Sequence, residues 1–413
     1  MGLTRHSGSS WAGGKKKASK SFTPVEEGGG RGMPICAQLL AVAETLWSVT
    51  SRYGSFGTAL GLILQRDGGR LTPVRMDSAA TEWQMPWPNW AARSDGKLCL
   101  ATALALADEI SSYGGMACWD KKRRAGLTLS ISATLAGRSS GEVPSVASGE
   151  PLHFVSRKLK TGRQLGYMEL EVWRGSPSDE QYYHASSPAS SSSSSSAELL
   201  AMGRHSKMLS LPAPLLSTVS LAERAGASSL YPIIQPPAIR LFERLYPAIK
   251  SWPPLNTQRG LRSSRTDLFP PLEATASAGA AAGAEVAARV VEAPLLRMAG
   301  GAAPSSYAAS LSPTWSNLMG NMHGGAACML GEQIAAASYA HTMGVGVDAA
   351  PPARMMHVQL LSGLVCDGRV GAFEAVTSPA RGGGGAQEPA STLATMRHAT
   401  DAGRAVECMT WWA

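Results

Sequence analysis

Two adjacent glycines, Gly324 and Gly325, open a largely apolar run from Ala326 to Ala340 that is rich in helix formers. A helix that starts this way has no side-chain bulk over its first free N–H groups. Those donors, with the positive end of the helix macrodipole behind them, suit a negatively charged or strongly polarised oxygen. Glycine there costs helix stability, a cost that a purely structural segment has no reason to bear. Glu332 follows His323 by nine residues, about 14 Å along a helix at about 1.5 Å per residue. It cannot serve its own helix's N-terminus, so a carboxylate working there has to come from a second, facing helix.

The wider pattern is Asn317-x-x-Gly320-x-x-His323-Gly324-Gly325 with an acidic residue, Glu332, following. It resembles the motif of the hotdog-fold acyl-CoA thioesterases of the PaaI-like family. The resemblance implies a long helix wrapped by an antiparallel sheet, with two such units paired. It also implies that glycine N–H groups of one helix hold a thioester carbonyl while the acid of the partner helix activates water. The family positions fall on Asn317, His323, Gly324, Gly325 and Glu332.

The chain carries a second copy. Sliding it by 224 positions sets Cys99, Leu100 and Ala101 against His323, Gly324 and Gly325, and Asp108 against Glu332. The run Leu98 to Ala107 is apolar apart from Thr102 and reads as a buried helix. Gly126 to Ser132 alternates apolar and hydroxyl residues, a half-buried strand. Leu152 to Leu159, a turn at Lys160 to Arg163, and Gln164 to Trp173 read as a β-hairpin, and Gly203 to Leu209 resembles a closing strand. The resemblance also makes Thr128 a water-holding hydroxyl beside Asp108. In the later copy, Met355 to Leu361 matches the strand after the helix and Ala402 to Trp411 the return of the hairpin, leaving no closing strand.

The copies are complementary. The earlier one keeps a carboxylate but has lost its glycines, and Arg93 replaces the asparagine. One cross-unit site would join Asn317, His323, Gly324 and Gly325 to Asp108 and Thr128; the other would join Cys99, Leu100 and Ala101 to Glu332.

Net charge is +8, with basic clusters at Lys15 to Lys17 and at Lys121, Lys122, Arg123 and Arg124. Aromatic residues make up 6% of the chain and do not gather near these clusters, which argues against nucleic acid as partner. The second cluster follows the Asp108 helix and is a candidate for the phosphates of coenzyme A. The six cysteines show no metal-ligand spacing and no paired motif, which suits buried thiols in a reducing, intracellular compartment, cytoplasmic or organellar. No apolar run reaches membrane-spanning length, so no stable membrane anchor is expected. Among eight histidines, only His323 has a motif context.

The resemblance, carried by both copies, implies an α+β tandem (double) hotdog, each unit a long helix wrapped by an antiparallel sheet. Residues 1–55 read as a disordered N-terminus and an amphipathic helix, and 56–212 as unit one with a Ser-rich insertion at 186–197. Residues 213–259 read as a connector containing a short helix (238–252), and 260–413 as unit two. The expected activity is hydrolysis of acyl-CoA thioesters by an intramolecular pseudo-dimer, with no cofactor or metal and with room for further assembly between copies. The alternatives are a non-catalytic acyl-CoA-binding or scaffolding hotdog protein, and a hotdog dehydratase or hydratase, which would need a histidine in the Asp108 segment that this chain lacks.

Overall fold

A computed structural model describes residues 56–65, 69–136, 142–183, 197–209, 273–274, 305–378 and 390–412, apart from positions 92, 94, 122, 123, 318, 319 and 402, and residues 36–47 in part. The serine run 190–196, the connector helix 238–252, the loop after Ala274, the first lysine cluster, Lys122 and Arg123 lie outside the described residues.

Two successive segments repeat one plan. The first runs β1 (Thr72–Met76), β2 (Ala80–Pro86), α1 (Leu100–Ser111), β3 (Leu127–Leu135), β4 (Pro151–Thr161), β5 (Leu165–Arg174) and β6 (Glu198–Met208). The second runs β7 (Glu273–Ala274), β8 (Ser305–Ser310), α2 (Gly324–Met343), β9 (Ala353–Leu360), β10 (Val370–Ser378), β11 (Ser391–His398) and β12 (Val406–Trp412). Among the described residues, twelve strands form one antiparallel sheet in the order β1-β2-β4-β5-β6-β3-β9-β12-β11-β10-β8-β7. Reading outwards from the β3–β9 junction, each half meets the same sequence of equivalent strands. The sheet therefore has a pseudo-two-fold axis at that junction, where Ile131 pairs with Val358 and Ala133 with Met356. This is a tandem hotdog.

The wrapping follows from side-chain patterns. Every residue of α1 is buried, as an all-round apolar helix requires. Strands β11 and β12 alternate buried and half-buried positions, the signature of a sheet with one face on the core. The two helices pack on each other closely: a Cβ at Gly325 would stand 2.9 Å from Ala105 Cα and 3.0 Å from its carbonyl oxygen. Gly325 is thus a packing glycine as well as a helix-terminal one. α2 ends at Gly344 in the left-handed conformation, φ +67°, the usual helix stop.

One expectation is corrected. The stretch ending at Trp411 is not the return of a hairpin. β12 pairs with both β9 and β11, as β6 pairs with both β3 and β5, so β12 is the closing strand. The hairpin is β10–β11, whose strands are separated by the glycine-rich stretch 379–389, long enough to hide the pairing from a local reading. Unit two therefore contains the full set of strands. Ending the chain at Ala405 should consequently abolish cooperative thermal unfolding, because β9 and β11 lose the strand that joins them and the sheet is cut in two. Trp412, whose indole N–H donates to Thr392 Oγ1 at 3.0 Å, alone accounts for about 3–5 kcal/mol. A truncated chain that melts like the full one, followed by circular dichroism, would show that β12 is dispensable.

Candidate active site

The N-terminus of α2 meets the carboxylate of Asp108 on α1. His323 is the N-cap, in extended backbone conformation. The Gly325 N–H donates to Asp108 Oδ2 at 2.7 Å and also to His323 Nδ1 at 3.0 Å. Gly324 makes the approach sterically feasible: a Cβ there would stand 2.6 Å from Asp108 Oδ2 and 2.8 Å from Thr128 Cβ.

The other carboxylate oxygen is held from the sheet. Thr128 Oγ1 donates to Asp108 Oδ1 at 2.8 Å, His205 Nε2 lies 3.1 Å from the same oxygen, and Lys207 Nζ 3.4 Å. His205 Nδ1 contacts Ser111 Oγ at 2.9 Å. Lys207 also donates to Ser112 Oγ and, at 3.3 Å, to Thr128 Oγ1. Thr128 reaches this position because of a β-bulge. The register of β3 against β6 shifts between Thr128 and Ser130, so Leu129 is an extra residue. Without it, Thr128 would share the outer face with Ser130 and Ser132. With it, Thr128 falls in phase with the inward Ile131 and opposite Lys207.

A second carboxylate, Glu109, sits beside the first. His323 Nε2 is 3.3 Å from Glu109 Oε2, and His323 Nδ1 is 3.1 Å from Asp108 Oδ2. Just beyond Asp108 and Glu109 the helix widens into a π-turn, Ser112–Met116, a distortion often found beside functional groups.

Asp108, Glu109, His205, Lys207 and His323 are all buried, so their electrostatics are strong. Burial by itself raises the Asp108 pKa, but Lys207, His323 and His205 outweigh it and hold the carboxyl well below the usual range. His323 is pushed down by burial and up, by more, through Glu109 and Asp108, so its pKa is raised. Burial together with the Lys207 charge drives His205 down to about 4 despite Asp108, leaving it neutral near pH 7. Lys207 is lowered, chiefly by burial.

The pseudo-equivalent site is closed. Cys99, the N-cap of α1, donates its thiol to Glu332 Oε2 at 3.2 Å, and Thr102 Oγ1 donates to Cys99 Sγ at 3.1 Å. Leu100 and Ala101 follow where the other helix has glycines, and Leu100 is fully buried. Glu332 is thus placed against Cys99 and not against the α2 terminus. Asn317 lies in the turn before α2, where its backbone N–H donates to the Asn321 carbonyl at 2.7 Å. Arg93, at the matching place in unit one, donates to the Ala350 carbonyl at 3.0 Å.

The basic cluster needs correction in part. Arg124 is committed to Asp120, with Nε to Oδ2 and Nη2 to Oδ1 both at 2.8 Å, and to the Arg163 carbonyl. A guanidinium closed in this way is structural, leaving Lys121, which is exposed, as the described member able to meet phosphate. The sequence reading also missed His205, Lys207 and Glu109. The available signal was a histidine and a lysine two apart on a strand, and therefore on one face, opposite Thr128.

No protein-family model matches this chain, and no curated protein matches it. Among solved structures, it is similar to the tesB protein of Mycobacterium avium subs paratuberculosis, at 8% identity and TM-score 0.41, covering 83% of this chain and 96% of that one. It is also similar to acyl-CoA thioesterase II TesB2 from Mycobacterium marinum, at 10% identity and TM-score 0.40, covering 82% and 93%. The PaaI protein from the E. coli phenylacetic acid degradation operon covers 43% of this chain and 97% of its own, at 12% identity and TM-score 0.29. The fold assignment rests on this chain's own strand order and register.

The histidine at the centre of the sheet-borne network gives a pH test. His205 has a pKa lowered from 6.5 to about 4 in the folded protein, so the unfolded chain takes up the proton first on acidification. Stability should fall as pH drops from about 6.5 towards about 4, and the depressed Asp108 acts in the same direction at lower pH. His205→Gln should flatten that acid limb, measured as Tm against pH. An unchanged limb would place the acid sensitivity elsewhere.

Proposed function

We propose that the chain hydrolyses acyl-CoA thioesters at the single site formed by the α2 N-terminus and Asp108. The observation that carries this reading is the Asp108 Oδ2 to Gly325 N–H contact of 2.7 Å, made between helices of different units. A donor aimed at a carboxylate oxygen is a donor that a developing oxyanion can use. An N–H of this kind is worth about 3–4 kcal/mol in the transition state.

In this reading the thioester carbonyl oxygen displaces Asp108 Oδ2 from the Gly325 N–H. Asp108 stays tethered through Oδ1 by Thr128 and Lys207, close to the carbonyl carbon. A carboxylate with a strongly depressed pKa is a weak base. Losing the Gly325 hydrogen bond to the substrate raises its basicity at the moment of use. It then takes a proton from a water whose oxygen attacks the carbonyl carbon, the C–S bond breaking and the proton passing to the coenzyme A thiolate. Alternatively it attacks the carbon directly, expelling the thiolate to leave a mixed anhydride that water hydrolyses. Thr128 is placed to hold the water or the carboxylate, and Lys121 is the candidate contact for coenzyme A phosphate.

The same closure supports a second reading, a non-catalytic acyl-CoA-binding or scaffolding protein, because the Asp108 carboxylate already satisfies the donor that a substrate needs. Incubating the purified protein with short, medium and long acyl-CoAs and following free thiol separates the two. Thiol release with turnover supports hydrolysis, and binding without release supports the second reading.

The asymmetry of the two sites sets the expected mutant ranking. Asp108→Asn should lower kcat/KM at least about a hundredfold, whereas Glu332→Gln should leave it within a few-fold. Gly324→Val should resemble Asp108→Asn, since its Cβ alone would collide with Asp108 and Thr128. Folding of each variant is checked by its melting transition. A folded Asp108→Asn protein as active as the wild type, or a larger loss in Glu332→Gln, would contradict the cross-unit site.

A further inference from the structure

We infer that Glu109 keeps His323 doubly protonated, so that His323 Nδ1–H stands beside the Gly325 N–H as a second donor to the thioester oxygen. This rests on the thioester reading above. Glu109 is then a positioning residue that acts through His323.

The geometry leaves His323 little choice. Its two ring nitrogens face two carboxylates, Nδ1 at 3.1 Å from Asp108 Oδ2 and Nε2 at 3.3 Å from Glu109 Oε2. A neutral imidazole has one N–H and one lone pair. A lone pair on Nε2 would point at Glu109 Oε2 inside the core, where such repulsion is poorly screened, while one on Nδ1 would lie 3.1 Å from Asp108 Oδ2 with the Gly325 N–H as its donor. The imidazolium sets a positive charge against both carboxylates, including Glu109 Oε2, a buried oxygen that has no hydrogen-bond donor among the described residues. A protonated Nδ1 gives up its hydrogen bond from the Gly325 N–H, which keeps its nearer acceptor, Asp108 Oδ2, at 2.7 Å against 3.0 Å.

The short helical turn Phe56–Ala59 holds this arrangement from outside. A Cβ at Gly57 would stand 2.3 Å from Glu109 Oε1, so the glycine reserves the space that the carboxylate occupies. The neighbouring Phe56 ring lies 5.3 Å from the His323 ring, tilted by 36°. One turn of chain therefore braces both members of the ion pair.

Charge bookkeeping in the cluster agrees. Asp108 and Glu109 from α1 face His323 from α2 and Lys207 from β6, giving two anions and two cations, while His205 of β6 is neutral and Tyr113 stays protonated because burial and both carboxylates raise its pKa. When a carbonyl oxygen displaces Asp108 Oδ2, it meets the two donors that oxygen has left, Gly325 N–H and His323 Nδ1–H. Negative charge developing on it is then stabilised by a dipole and a full positive charge.

The test uses the full chain with labelled histidine nitrogens, the His323 signals being assigned by their loss in His323→Gln. In the wild type, both His323 nitrogens should carry protons at about pH 7.5, above the ordinary histidine value of about 6.5. In Glu109→Gln the His323 pKa should fall, and acyl-CoA hydrolysis should lose activity as pH rises through that lower value, with a deficit of about a hundredfold at its high-pH end. Glu109→Asp should restore part of both. A neutral His323 in the wild type overturns the proposal, whether or not the Gln variant folds. So does a His323 titration that ignores Glu109, or a loss of activity equal at every pH. A wild type that hydrolyses no acyl-CoA while His323 still answers to Glu109 sinks the thioester reading instead and leaves the ion pair standing.

Discussion

The contact between the Asp108 carboxylate and the Gly325 N–H ties this molecule together at the point where its two halves meet. A fully buried carboxylate is costly unless several donors surround it, and here the donors come from three elements: the α2 terminus, the bulged strand β3, and the closing strand β6. Each imposes its own requirement on the sequence. The helix terminus must be bare, hence Gly324; the helices must cross closely, hence Gly325 against Ala105. β3 must carry an extra residue, hence the shift at Leu129. β6 must turn an imidazole and an ammonium inward, hence His205 and Lys207.

The pseudo-symmetry sets beside this contact a second helix terminus that is built differently. The chain has two pseudo-equivalent helix termini, each facing an acid of the other unit, with Cys99 contacting Glu332 much as His323 contacts Asp108. The chemistry differs. A thiol is a weak donor with one hydrogen, whereas His323 offers two nitrogens and a charge. Leu100, fully buried, stands at the helix position that Gly324 holds in α2, where a side chain would collide with Asp108 and Thr128. The second position is thus packed as core, which removes a demand for an exposed polar pocket on that side and lets Glu332 serve the packing of the two helices.

Much of this was legible in the residues. The glycine pair marked the helix terminus, the nine-residue offset of Glu332 pointed to a cross-helix acid, and the 224-residue repeat located Asp108. Those signals survive because they depend on local backbone geometry and on fixed helical spacing. The closing strand β12 was misassigned because its hairpin neighbours β10 and β11 are far apart in sequence, and pairing across a long loop leaves no local pattern. His205 and Lys207 escaped notice because their role depends on register between β3 and β6, and a one-residue bulge changes which face a side chain takes. Glu109 was passed over because adjacent helix positions do not normally share a face; His323 reaches both carboxylates by lying between them. Arg124 shows the converse, a basic run whose described guanidinium is consumed by Asp120.

The account is tested most directly by solving the structure of the full chain with a non-hydrolysable acyl-CoA analogue that keeps the carbonyl and replaces the thioester sulfur by a methylene. It predicts the carbonyl oxygen within hydrogen-bond distance of the Gly325 N–H, with Asp108 Oδ2 displaced from that donor and Oδ1 still held by Thr128. A carbonyl bound at the α1 terminus beside Cys99, or one bound away from both helices with the Asp108 to Gly325 contact intact, would contradict it.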